Sequence, residues 1–177
     1  MLSETTREAR EVRVPADFES YVAARGPALL RLAYLLTGNE SDAQDVVQEA
    51  LSRAVPRWTR ITQADDPDAY VRRMVVNAHV SWWRKFKRRE SPVEDVRSEG
   101  IQPGADVETV ERAGSKELWA ACARLPRDQR AAVVLRYYEQ LSFAEIAALT
   151  KVAEATARSR VHRGLATLRN TMGENNE

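Results

Sequence analysis

The sequence predicts an all-helical protein of two small domains, and three observations carry that prediction. Apolar residues recur at spacings of three and four along most of the 177 residues, which places them on one face of successive helices. Gly and Pro number only seven each, too few for the turn-rich chemistry of a sandwich or barrel. Runs that alternate apolar and polar residues between turn dipeptides are missing, so no strand signal competes.

The first helix opens at Asp17 and carries the stripe Phe18, Tyr21, Val22, Leu29, Leu32, Ala33 and Leu36 before it stops at Gly38. Ser41 with Gln44 three residues on has the capping-box pattern and predicts the start of a second helix. Its stripe is Ala43, Val46, Val47, Ala50, Leu51, Ala54 and Trp58. A polar loop is expected between Arg57 and Asp66. Asp66-Pro67 then opens a third helix, because Pro suits the first helical position. Val71, Met74, Val75, Ala78 and Trp82 form its buried side.

Charge divides the middle of the chain. From Asp68 to Glu90 seven Lys or Arg stand against two acids, a local charge of +5. From Ser91 to Glu111 six acids stand against one Arg, a charge of −5, with two Pro, two Gly and no helical stripe. The second stretch reads as a linker. Beyond it Leu118, Ala121, Cys122 and Leu125 mark a fourth helix, which Pro126 breaks. Asp128 to Tyr138 reads as a fifth. Ser142 with Glu145 forms another capping box and opens a short helix through Ala148. A turn at Thr150 to Val152 leads to a last helix from Ala153 to Leu168, with Ala157, Val161, Leu165 and Leu168 inward.

Composition excludes several classes. Hydrophobic residues at 44% suffice for a core. One Cys (Cys122) and two His exclude a disulfide framework or a multi-cysteine zinc site, and a reducing compartment is expected. No apolar run of about 18 residues and no apolar signal-peptide centre in Met1 to Pro15 occurs, so a cytoplasmic protein without a membrane role is expected. No Gly-rich phosphate loop, nucleophile motif or catalytic carboxylate pair is present, which points away from an enzyme and from any cofactor or metal. The net charge of +1 names no partner.

The last two helices have helix-turn-helix proportions. In such a unit the second helix fits the major groove while its core stripe faces the scaffold. Counting 100° per residue, the outward side carries Ala155, Ser159, His162, Arg163 and Ala166, flanked by Thr156 and Arg158. A solvated charged face on a helical bundle is the alternative at this point. His162 has no neighbouring His, Cys or carboxylate at ligand spacing, so metal or general-base roles are not expected.

Leu125-Pro126-Arg127-Asp128-Gln129-Arg130, Val134-Leu135-Arg136-Tyr137-Tyr138-Glu139, Leu141-Ser142-Phe143-Ala144-Glu145-Ile146-Ala147 and Thr156 to Leu165 together resemble the C-terminal DNA-binding domain of extracytoplasmic-function sigma factors. In the front half, Asp42 to Ala50 resembles that family's polymerase-binding helix, and Tyr70 to Arg89 resembles its −10 element reader. The resemblance extends from Asp17 to Thr171 and is similar to the family's actinobacterial sigma-E-like group.

The resemblance implies a division of the chain and of its labour. A tail, 1–16, expected to be disordered, precedes a region-2-like domain, 17–90. An acidic linker, 91–113, leads to a region-4-like domain, 114–172, and a short tail, 173–177. Asp42, Asp45, Gln48 and Glu49 would dock on the beta-prime clamp helices of core RNA polymerase, and they lie in a stretch, Glu40 to Glu49, without Lys or Arg. The partner set implied is core polymerase, including its beta subunit, promoter DNA and an anti-sigma factor. Asn77 would hold an unstacked −10 base, Trp83 would contact a base step, and Arg72, Arg73, Arg84, Lys85, Lys87 and Arg88 would hold phosphates. Trp82 is assigned to packing. Thr156, Arg158, Ser159, His162 and Arg163 would read the −35 element, with Arg160 bracing the domain. The linker would thread the polymerase cleft, or act as a plain solvated tether.

Three positions depart from the family pattern. Lys151 stands where Gly is usual and Ala153 where Ser is usual, at a cost of up to ~1 kcal/mol each. Ser81 replaces an acid on the −10 helix. An autonomous DNA-binding regulator is the alternative function, and a helical adaptor that has lost DNA reading a more distant one.

Overall fold

The computed structural model describes residues 17–89 and 113–174. Its elements are helices throughout: α1 (Phe18–Thr37), α2 (Glu40–Ala54), a 3-10 turn (Val55–Arg57), α3 (Trp58–Ile61), α4 (Pro67–Arg89), α5 (Ala113–Arg124), α6 (Arg127–Tyr137), α7 (Phe143–Thr150) and α8 (Glu154–Glu174). The predicted acidic linker and both terminal tails lie outside the described residues, apart from the ends of α5 and α8.

Local chemistry sets the boundaries. The Asp17 carboxylate accepts from the Ser20 N–H and starts α1. Gly38 ends it in the left-handed region at φ 70°, its N–H donating to the Tyr34 carbonyl. The expected Ser41–Gln44 box does not start α2. Asn39, extended at φ −142°, follows the turn directly and its Oδ1 accepts from the Asp42 N–H, so the cap lies two residues earlier than Ser41. The expected loop after Arg57 holds the short α3, because Trp58 and Ile61 are two large apolar groups that plug the core. Trp58 sits edge-on to Phe18 at 5.3 Å. Ser142 and Glu145 do form the predicted capping box.

In the front half, α1, α2 and α4 pack around Tyr21, Leu29, Leu32, Leu36, Val46, Ala50, Ile61, Val71 and Val75. A carboxylate is buried at its edge. Asp68 accepts from the Tyr21 hydroxyl at 3.0 Å, from Arg25 Nε at 2.8 Å and Nη2 at 2.5 Å, and from Arg72 Nη1 at 3.0 Å. Burial alone would raise its pKa, but the hydrogen bonds from Arg25 and Tyr21, then the charges of Arg25 and Arg72, hold it below the usual carboxylate value. In the rear half α8 lies across α6 and α7. Gly164 allows that approach, since a Cβ there would fall 2.6 Å from Val133 Cγ2.

The two halves share one apolar core. Val134, Leu135, Leu141, Ile146, Ala147 and Ala157 of the rear join the front cluster without a gap. This contact corrects the reading of α4. Val76, His79 and Val80 are buried while Trp82 is only half-buried. A single amphipathic stripe marks a helix buried on one side, and here α6 and α7 cover a second side.

His79 is 6% exposed on α4, and its Nδ1 has no hydrogen-bond partner among the described residues. Burial, then the Arg130 and Arg127 charges, lowers its pKa to about 4. The folded protein thus refuses a proton that the unfolded chain binds below about 6.5, so stability is complete above that pH and is lost as pH falls towards about 4. Asp68 adds loss only at still lower pH, and Glu139, whose carboxyl burial raises, acts in the opposite sense. The thermal midpoint, followed by circular dichroism, is expected to drop between pH 7 and pH 5. His79→Leu should flatten that drop, and an equal drop in both proteins refutes the assignment to His79.

Candidate functional site

Three surfaces gather the residues singled out in the sequence. On α2 the apolar residues Ala43, Val46, Val47 and Ala50 face α1 and α4, so the helix turns its polar side outward. Asp45 and Gln48 are exposed, and Asp42 and Glu49 are half-buried. Glu49 is tied to Arg53 one turn on, at 2.5 Å. Burial raises the Asp42 pKa, opposed by the Arg127 charge. The outcome is an acidic, solvent-facing ridge fixed on a rigid helix, suited to a basic partner surface.

On α4, where the Ala69 N–H donates to Asp66 Oδ1, Asn77 is exposed, as are Arg73 and Lys85. Arg72, Trp83 and Arg84 are half-buried. Lys87 and Arg88 continue the helix, and their side chains lie outside the described set. Several of these residues already have neighbours. Arg72 holds Asp68 and stands 3.6 Å from Glu139, and Arg73 stands 4.0 Å from Glu145. Trp83 lines a narrow crevice with Arg127, Asp128, Ala131, Ala157 and Arg160 of the rear half. The Arg127 guanidinium lies 6.0 Å from the Trp82 ring.

On α8 the inward stripe is Ala157, Val161 and Leu168, with Leu165 half-buried. Thr156, Arg158, His162 and Arg163 are exposed on the far side, and Ser159 is half-buried beside them. Arg158 bonds Glu154 at 3.0 Å, and its guanidinium lies 4.9 Å from the Phe143 ring, which Arg136 also approaches at 4.7 Å. Arg160 pairs with Asp128 at 2.7 Å and so ties α8 to α6. Lys151 links α7 to α8 in the left-handed conformation, φ 56° and ψ 47°, where the family pattern has Gly. Ala153 offers only its carbonyl, which accepts from Thr156 and Ala157. The first turn of α8 therefore has no side-chain cap from that position.

An exposed helix bearing hydroxyl, imidazole and guanidinium groups, on a scaffold that holds its opposite face, can enter a major groove and bond phosphates and base edges. Sequence reasoning missed the Tyr21–Arg25–Asp68 network, His79, and Arg130. The signal for Arg130 was in plain view as an Arg on the inward side of α6, where a cation has to find partners.

Comparison with known proteins agrees in both halves. Residues 21–100 match the family described as Sigma-70 region 2, and residues 115–168 that described as Sigma-70, region 4. The RNA polymerase sigma-E factor of Streptomyces coelicolor is 39% identical over 153 residues, covering 86% of this chain and 84% of that one. The ECF RNA polymerase sigma factor SigM of Mycobacterium tuberculosis is 34% identical, covering 82% and 71%. Among solved structures, the fold resembles that of the sigma factor RpoE of Bartonella quintana, crystallised with the anti-sigma factor NepR. The TM-score is 0.60 at 24% identity, over 90% of this chain and 98% of that one.

The left-handed Lys151 has a measurable consequence. Lys151→Gly should stabilise the protein by roughly 0.5–1 kcal/mol, because only Gly adopts this conformation without a Cβ penalty. Urea unfolding checks this, and a destabilised variant refutes it.

Proposed function

Because the chain belongs to the sigma-70 family of RNA polymerase sigma factors, in its extracytoplasmic-function group, we propose that promoter recognition is divided between its two helical halves as follows. The protein is a sigma factor: it associates with core RNA polymerase and directs transcription initiation at promoter DNA. The relatives are sigma factors rather than enzymes, and RNA synthesis belongs to the polymerase.

The front half, 17–90, docks by the α2 ridge. Asp42, Asp45, Gln48 and Glu49 meet the basic clamp helices of the beta-prime subunit, with the beta subunit also in reach of the holoenzyme. Asn77 then receives an unstacked base of the −10 strand, Trp83 stacks on a base step, and Arg72, Arg73, Arg84, Lys85, Lys87 and Arg88 hold phosphates. The rear half, 114–172, sets α8 in the major groove at the −35 element. There Arg158 and Arg163 serve phosphate or guanine, and Thr156, Ser159 and His162 lie along base edges. The segment 91–113 tethers the halves. Anti-sigma control is part of this reading, by analogy with the Bartonella protein, which binds one, and the site of action is the cytoplasm, with the polymerase.

One observation carries the proposal: two faces of opposite chemistry, acidic on α2 and cationic on α8, stay open to solvent while their apolar stripes are buried. Run-off transcription with core polymerase, with and without this protein, tests it. Asp45→Arg is expected to weaken holoenzyme assembly about tenfold or more in gel filtration, with helical content unchanged, since the carboxylate is exposed and only the charge of the face reverses. Unchanged assembly refutes the docking role. Arg158→Ala should weaken protection of the −35 region, at a loss of about 1–3 kcal/mol if the guanidinium reads a base. An unaltered footprint removes Arg158 from the interface.

A further inference from the structure

One aromatic ring of the rear half meets two guanidinium groups. Phe143 is the first residue of α7, and the capping box of Ser142 and Glu145 fixes the start of that helix. The Arg136 guanidinium of α6 lies over its ring at 4.7 Å from the centroid, and the Arg158 guanidinium of α8 lies over it at 4.9 Å. Both distances fall within the roughly 6 Å over which a cation is drawn to the electron-rich face of a ring. Three helices thus converge on one half-buried side chain.

The two cations differ in what else holds them. Arg136 donates from Nη1 to the Leu141 carbonyl at 2.8 Å, which ties it to the segment that leads into α7. Arg158 bonds Glu154, one turn back on its own helix, at 3.0 Å. The side chains of that pair are 55% and 51% exposed, so the pair holds weakly. Glu154 also moves with α8 and cannot fix the guanidinium relative to the rest of the domain. Phe143 can, because it stands on a different helix. A free arginine samples many rotamers, and ordering it only when DNA arrives lowers affinity.

We propose that Phe143 is a positioning residue for −35 recognition: its ring holds the Arg158 guanidinium, by a cation–π contact, in the direction that DNA contact requires, with Arg136 fixed beside it on the same ring. This rests on the assignment of α8 to the −35 element given above. The ring itself need not touch DNA. A guanidinium suits the arrangement because its planar, weakly hydrated group stacks on a ring and still presents N–H groups at its rim.

Replacing Phe143 by mono-, di- and trifluorinated phenylalanine in the full chain tests this. Fluorine withdraws charge from the ring face and weakens the cation–π contact in steps, while the shape of the ring is nearly kept. The affinity of reconstituted holoenzyme for the −35 region, read by footprint titration on the promoter used for run-off transcription, is expected to fall about two- to fivefold across the series, the size of an exposed cation–π contact. In the Arg158→Ala background the same series is expected to be flat, because the group that the ring orients is gone. A flat series in the protein that retains Arg158 overturns the proposal. So does a fall of equal size in the Arg158→Ala background, which a purely structural role of the ring would give. The free full chain supplies a second reading: the NMR resonance of the Arg158 Nε–H is expected to lie upfield of its position in Phe143→Leu, through the ring current, and coincident resonances overturn the stack. Loss of −35 protection by wild type strikes the sigma assignment and the positioning role with it, whereas failure of the positioning role alone leaves wild-type protection intact.

Discussion

The guanidinium of Arg130 is the contact on which the arrangement of the two halves depends. Among the described residues it is a buried cation without a carboxylate in ion-pair contact, held by four carbonyl oxygens, two from each half. Burial, then the neighbouring Arg127 charge, lowers its pKa to about 10, so it stays charged at neutral pH. A buried charge without compensation costs several kcal/mol, which makes the four carbonyls a requirement. Two of them are the orphan carbonyls at the end of α1, a helix whose last turn has no basic residue of its own. The rear half supplies the cation that this dipole end lacks. Gly38 is needed twice at that point, for its positive φ and for the space the guanidinium fills.

Helix α4 is the second element that both halves share. Its N-terminal end is fixed to α1 through Asp68, and its middle is buried on two sides, by Val71 and Val75 towards α1 and α2 and by Val76, His79 and Val80 towards the rear. The basic residues therefore emerge from a narrow strip between two packed faces. This accounts for the half-burial of Arg72, Trp83 and Arg84, which a freely solvated helix would expose. It also makes the cost of the buried imidazole intelligible: His79 faces apolar and cationic neighbours and can only be neutral there.

Much of the fold was legible in the sequence because local rules decided it. Pro67 began α4, Gly38 ended α1, and Ser142 with Glu145 began α7, each through a backbone group that its side chain satisfied or freed. The faces of α2 and α8 were legible for the same reason, since one stripe was buried and the opposite side followed by rotation. The misreadings share one physical origin. The cap of α2 went to Asn39 instead of Ser41 because the turn at Gly38 delivered Asn39 in extended conformation first. Trp82 was assigned inward, and Val76 and Val80 were passed over, because periodicity reports one buried face and cannot announce a second partner. Arg130 and Asp68 were missed because a buried charge is justified only by groups distant in sequence, 94 residues away for Leu36 and 43 for Arg25.

The ion pairs across the boundary bear on how such a contact can be strong enough to hold and weak enough to release. Glu139 and Glu145 offer carboxylate oxygens where strand phosphates are proposed to sit, so one guanidinium cannot serve both. The exchange of carboxylate for phosphate is nearly balanced in charge, and the gap of 4.0 Å between Arg73 and exposed Glu145 contributes little by itself. The firmer part is the apolar contact of Leu135, Ile146 and Ala157 with the front core, which phosphate cannot replace. Strand binding alone therefore competes poorly for these sites.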